Sequence, residues 1–155
     1  MIDIDRVLVP TDFSECSWKA MKYGCEFSER FEAELHLLHV VEDTVPLLAE
    51  PELATVPLVE VAVEQERCAR EKLAVRPDAD WSATHRVVRA VRRGNAFLEI
   101  ARYAQEQDVS VIILGTHGRT GLEHLLLGSV AEKVVRKAPC PVLIVRDPEH
   151  DFIHP

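Results

Sequence analysis

Residues 109–129 read VSVIILGTHGRTGLEHLLLGS: an apolar run broken only by Ser110 leads straight into four of the chain's six glycines, at 115, 118, 121 and 128. A short continuous apolar run bounded by turn residues has the look of a strand buried on both faces. Glycine allows positive φ and lets another molecule come close to the backbone, so glycines gathered at a strand end mark a tight turn or a ligand surface. Which of the two depends on the flanks.

Working outward, RVLVPTD (6–12), ELHLLHVV (34–41) and VLIVR (142–146) repeat the apolar pattern, and ATHRVVRAV (83–91) does so with arginines interleaved. Helical stretches separate them. Ser14 suits an N-cap, and the segment to Phe31 sets Ala20, Gly24, Phe27 and Phe31 on one stripe. A connection with prolines at 46, 51 and 57 follows the second strand, after which Leu58, Val61, Ala62, Gln65, Cys68, Ala69 and Leu73 keep helical spacing. Gly94 and Asn95 open a helix through Leu98, Ala101 and Ala104, and Ser129 to Ala138 forms a last helix stopped by Pro139 and Pro141. This alternation predicts an α/β fold: a five-stranded, parallel, open sheet with helices on both faces, Rossmann-like in type. The expected organisation is one domain over 1–147 and a short C-terminal tail at 148–155. Ligands of such sheets sit beyond the carboxyl ends of the strands, where the winding reverses.

Composition narrows the partners. The formal charge is -8, from 18 Lys and Arg against 26 Asp and Glu, with no basic tract, so binding to nucleic acid through phosphate charge is not expected. Much of the acid excess lies between Glu42 and Glu71, which reads as a solvated face and loop. The one basic cluster, Arg86, Arg89, Arg92 and Arg93, reads as the rim of an edge strand. Charged residues interrupt every apolar run near the amino end, and no window is long enough for membrane insertion, so a cytoplasmic location is expected. Cysteines 16, 25, 68 and 140 have no metal-site spacing and are expected as buried free thiols.

The glycine stretch follows the pattern Gly115, two residues, Gly118, nine residues, Gly128, Ser129. A helix opening at Gly128-Ser129 offers unpartnered backbone N–H groups, and a phosphate can accept them at the positive end of the helix dipole. Turn formation and helix capping by Ser129 explain the same residues. No Gly-Lys-Ser/Thr of a Walker loop is present, nor a G-x-G-x-x-G after the first strand. Asp12, at the end of the first strand, can meet a ribose hydroxyl or an adenine amine, or can cap the next helix.

VLVPTDFSE, LHVVED and VIILGTHGRTGLEHLLLGSVAEKVVRKAPCPVLIV together resemble the universal stress protein family, in order and over almost the whole chain. The glycine spacing resembles that of its nucleotide-binding branch. The resemblance implies an adenine nucleotide alpha hydrolase-like fold and an ATP site, with Mg2+ or Mn2+ accompanying the nucleotide. It assigns Pro10, Thr11 and Asp12 to the adenosine end, Val40 to adenine through its backbone, and Gly115, His117 and Gly118 to the ribose and first phosphate. Gly128, Ser129 and Val130 take the remaining phosphates. Two positions depart from the family: Ser110 stands where Asp is frequent, and Gly94-Asn95-Ala96 replaces Gly-x-Pro; neither is expected to touch the nucleotide. The resemblance also implies a homodimer through Val142 to Val145, an apolar edge strand that invites pairing. A nucleotide-dependent sensor or regulator in stress response, a slow ATPase, and an interaction subunit for AMP or a cyclic nucleotide all remain open. Near the motif only Arg119, His117 and His124 stand out as groups for phosphoryl transfer, and no catalytic residue is assigned.

Overall fold

The computed structural model describes residues 3–42, 58–116 and 127–146. Its elements in chain order are β1 (Arg6–Pro10), α1 (Glu15–Phe31), β2 (Glu34–Val41), α2 (Leu58–Ala74), α3 (Ala79–Thr84), β3 (Val87–Arg93), α4 (Ala96–Glu106), β4 (Val111–Gly115), α5 (Ser129–Lys137) and β5 (Val142–Val145). All four strand pairs are parallel, in the order β3-β2-β1-β4-β5. The chain winds outward from β1 to β3, then returns to the other side of β1 for β4. The winding therefore reverses between β1 and β4, which pair through Val7 with Val111 and Leu8 with Ile112.

Both faces of the sheet are covered, as the apolar runs predict. On one face Val7, Val9, Leu35, Leu37 and Ile113 pack with Ala20 and Met21 of α1 and Leu73 of α2. On the other, Leu8, Leu38, Ile112 and Leu114 pack with Ile100 and Tyr103 of α4 and Ala131 and Val134 of α5. Helix α1 comes so close to β1 that a Cβ on Gly24 would lie 2.4 Å from Val9 Cγ2. Beside Leu38, β2 also meets α4 through a polar side chain: His36 is buried, with Nδ1 2.8 Å from the Tyr103 hydroxyl and Nε2 2.8 Å from Glu34 Oε1. Burial holds the His36 pKa below its ordinary value, against the pull of the Glu34 carboxylate.

Several local expectations shift. Residues 79–84, the last two of which fall in the expected third strand, form α3 because Asp78 caps it, accepting from Trp81 N–H at 3.0 Å; the third strand starts only at Val87. The buried stripe of α1 is Ser17, Ala20, Met21, Gly24 and Ser28, and Phe31 is exposed. In α4 the buried residues are Ile100, Tyr103 and Ala104, with Leu98 outside, and in α2 Val61 is likewise exposed. Helices with wide apolar content admit more than one stripe, and only the sheet decides which faces inward. Each cysteine is a free thiol, but half-buried instead of buried. Arg89, Arg92 and Arg93 do lie on the edge strand β3, where Arg92 meets Glu106 and Arg93 meets Glu66. No helix among the described residues is long and apolar enough to cross a membrane.

Candidate nucleotide site

At the carboxyl end of β1 the chain turns sharply. Thr11 N–H still donates to Leu38 C=O at 2.8 Å, the last bond of the β1–β2 ladder, and the Thr11 hydroxyl is 2.8 Å from that of Ser17. Asp12 Oδ1 accepts from Ser14 N–H at 3.0 Å, and Ser14, not Asp12, caps α1 by accepting from Ser17 N–H. Between them Phe13 has φ +67°, a left-handed conformation rare for a bulky side chain. Its N–H donates to the Thr11 hydroxyl at 3.0 Å, and its ring packs 4.3 Å from the His39 ring. His39 Nδ1–H in turn donates to Thr11 C=O at 2.8 Å. Strain of this kind persists only where the surroundings enforce it, and it gathers at functional sites.

β2 continues past this turn. Leu38 C=O points toward β1 and Val41 C=O accepts from Gly94 N–H on the β3 side. The alternation of a parallel ladder therefore turns the Val40 backbone groups toward β1, beyond the point where β1 has ended. Across the winding reversal, β4 ends at Gly115. A Cβ there would stand 2.5 Å from Cys16 Sγ and 3.0 Å from Cys16 O, so the first turn of α1 requires glycine at this position.

The far end of the glycine stretch is tied back to β4, because Gly128 N–H donates to Thr116 C=O at 2.7 Å and Thr116 N–H to Val145 C=O at 3.1 Å. Gly128 is the N-cap of α5 at φ -64° and ψ 153°, without a side-chain cap bond. Any L-residue adopts that conformation, so positive φ is not what glycine supplies here. Ser129 is the first helical residue, not the cap. Glu132 N–H is the first to bond within the helix, to Gly128 C=O, which leaves the N–H groups of Ser129, Val130 and Ala131 without partners among the described residues. That is an anion-binding helix start.

A cavity of about 640 Å³ joins these pieces beyond the carboxyl ends of β1, β2 and β4. Pro10, Thr11, Asp12, Val40, Gly115, Gly128, Ser129 and Val130, all singled out in the sequence, line it together. His117 and Gly118 lie outside the described residues, as do Arg119 and His124. Sequence reasoning missed the contribution of α2, which brings Glu64, Gln65, Cys68, Ala69 and Lys72 to the same cavity, and that of Phe13 and His39. Lys72 is the one Lys or Arg among the described lining residues; its Nζ lies 5.0 Å from the Phe13 ring centre. Ala96, from the segment that replaces Gly-x-Pro, also lines the cavity, against expectation. Ser110 is remote from it: its hydroxyl accepts from Asp5 and Arg6 N–H at 3.0 and 3.3 Å, fastening the start of β4 to β1. Among the described residues no group of three or more His, Cys, Asp or Glu could hold a metal ion.

The sequence matches the universal stress protein family over residues 3–146. The chain belongs to the universal stress protein family. Universal stress protein MJ0531 of Methanocaldococcus jannaschii is 32% identical over 146 residues, covering 94% of this chain and 84% of that protein. Universal stress protein UspA from Lactobacillus plantarum has a similar structure, with TM-score 0.79 at 27% identity over 93% of this chain and 99% of that one. Universal stress protein MJ0577 of M. jannaschii is likewise similar in structure, with TM-score 0.77 at 30% identity over 95% of this chain and 99% of that one. Two more distant family structures are complexes: one with cAMP (22% identity, TM-score 0.57, 92% of this chain and 97% of that one), and one from Archaeoglobus fulgidus with dAMP (17%, 0.59, 93% and 98%). At that distance they speak for the fold this universal stress protein shares.

Proposed function

We propose that this universal stress protein binds ATP in the cavity at the carboxyl edge of its sheet and works as a nucleotide-dependent sensor or regulator in stress response, in the cytoplasm. The observation that carries the reading is the start of α5: three N–H groups without partners among the described residues, at the positive end of a helix and bordering the same cavity as Asp12 and the Val40 backbone. Phosphates satisfy such groups, a carboxylate beside them suits a ribose hydroxyl, and an exposed pair of strand amide and carbonyl suits the edge of adenine. The cAMP and dAMP complexes of distant relatives support an adenine nucleotide as the ligand class. A Mg2+ or Mn2+ ion would arrive with the nucleotide, held mainly by phosphate oxygens and water. His117 and Gly118 belong to the proposed site beside the ribose and first phosphate.

Denaturing the purified protein and identifying the released small molecule, followed by calorimetric titration with Mg-ATP, tests this directly. Adenine nucleotide in the supernatant and saturable ATP binding are expected; no binding of ATP, AMP or cAMP would overturn it. Binding confined to AMP or a cyclic nucleotide would favour the interaction-subunit reading instead. For assembly we expect a homodimer through β5, whose residues Val142 to Ile144 are only half-buried at the sheet margin. Light scattering that gives a monomer at micromolar concentration would refute the dimer.

A further inference from the structure

Between β2 and α4, away from the cavity lining, lies a titratable pair that the nucleotide site does not use: His36 and Tyr103, both buried and joined at 2.8 Å. The ring tautomer follows from the partners. A carboxylate only accepts, so His36 Nε2 carries the proton and donates to Glu34, and Nδ1 is left to accept from the Tyr103 hydroxyl. A second proton on the ring must go to Nδ1. It then confronts the Tyr103 O–H, and one of two buried donors loses its acceptor. The charged groups around the pair are Glu34 on β2 and Arg6 on β1, which act on His36, and Arg92 on β3 and Glu106 on α4, which act on Tyr103. Arg92 and Glu106 pair with each other at 2.8 Å. Glu34 favours a charged ring, while burial and Arg6 oppose it.

The pair belongs to a contact that ends at the cavity. Along β2, His36, Leu38 and Val40 share one face, and the last two line the cavity. Along α4, Tyr103, Ile100 and Ala96 follow one another at helical spacing, and again the last two line it. Helix α4 also supports the start of α5: Phe97 packs in the same cluster as Ala131 and Val134, and Lys133 Nζ lies 5.2 Å from its ring centre. A shift of α4 on the sheet therefore moves the cavity wall and the helix that opens onto it. We propose that the His36–Tyr103 pair is a proton-operated latch on α4: with His36 neutral the helix is seated and the cavity complete, and protonation of His36 releases α4 and weakens nucleotide binding. Proton and nucleotide then oppose each other, and by linkage the effect is reciprocal. Acid becomes a second input to the same site.

The latch rests on the nucleotide reading above, and the two fail differently. Adenosine is the probe, because it has no phosphate to titrate in the same pH range. An NMR titration of the His36 ring locates its midpoint, and calorimetry then gives adenosine affinity well above and well below that pH, with circular dichroism to check that the protein stays folded. Affinity is expected to fall on the acid side by about fivefold or more, and saturating adenosine to lower the His36 midpoint by about 0.7 pH unit or more, the same fivefold as a logarithm. Tyr103→Phe, which removes the opposing donor, and His36→Gln, whose amide does not titrate, should both hold adenosine affinity level over that range. Carboxylates in the cavity would leave a pH dependence in both variants. Wild-type protein that binds neither ATP nor adenosine at neutral pH would overturn both readings. Adenosine binding with a His36 midpoint that adenosine does not move, a ring that stays neutral until the protein unfolds in acid, or a wild-type pH dependence retained by Tyr103→Phe would overturn the latch alone.

Discussion

Replacing Ser129 by proline tests the phosphate end without disturbing the fold. Ser129 is the first residue of α5, the one helical position where proline is well tolerated, because its N–H has no partner within the helix and its φ is already helical. The residue before a proline must be extended, and Gly128 already is, at φ -64° and ψ 153°. Stability should therefore change by less than about 1 kcal/mol, with a gain possible from a stiffer unfolded chain. What the change removes is one of the three N–H groups at the helix start that have no partner among the described residues, together with the serine hydroxyl. A hydrogen bond to a charged group contributes about 1.5–3 kcal/mol, so each loss corresponds to about 10- to 100-fold in affinity. Ser129→Ala removes the hydroxyl alone and Ser129→Pro removes both; the ratio of the two isolates the backbone donor. Titration of folded variants with Mg-ATP reads the order wild type, Ala, Pro, while adenosine affinity stays level across all three. A proline variant that binds ATP as tightly as the alanine variant would show that the N–H groups of α5 do not hold the phosphates.

Three further outcomes can be measured. Gly24→Ala places a Cβ 2.4 Å from Val9 Cγ2 and 3.2 Å from Leu35 Cδ1, so overpacking of about 1–3 kcal/mol outweighs a helix-propensity gain of about 1 kcal/mol; in a Val9→Ala background the same change should stabilise, and urea unfolding that shows one sign in both backgrounds would count against the packing. Because burial depresses the pKa of His36, its neutral form adds stability that is complete above about pH 6.5 and is lost as pH falls through the lowered folded value, at up to about 1.4 kcal/mol per pH unit; His36→Gln should flatten that slope between pH 6.5 and 5.5, and an unchanged slope would refute the assignment. ATP hydrolysis should be slow, since backbone N–H groups hold ground and transition states alike; phosphate release near the enzyme median of about 10 per second would contradict this.

The sheet was legible because its strands are buried on both faces and so appear as apolar runs, unbroken in Val7–Pro10 and interrupted only by His36 and His39 in Leu35–Val41. The helices were less legible. Phe31 and Leu98 fit a helical stripe as well as Met21 and Ile100 do, and nothing local reveals which stripe the sheet selects. Helix α3 was invisible for another reason: it is a helix of only 6 residues held by the Asp78 cap, next to a genuine strand. At the site, residues that act through the backbone left a trace because they restrict composition. Gly115 must be glycine to admit Cys16. Gly128, by contrast, has ordinary dihedral angles, so positive φ is not what places a glycine there.

The side chains that α2 brings to the cavity left no such trace, and the topology explains why. Because the winding reverses at β1, α1 and α2 cover one face and α4 and α5 the other, and only at the carboxyl edge between β1 and β4 can groups from both faces border one space. A motif confined to one strand and its following helix can describe only one face of that space. The glycine stretch marks the α5 side, which offers main-chain N–H groups common to every residue. The opposite side is built by side chains, Gln65, Cys68 and Lys72, whose positions follow from a helix docking on β2 and β3 after a long connection. The α5 border of the cavity is thus written locally, whereas its α2 border is written in the packing of a helix far along the chain and shows only once the chain is folded.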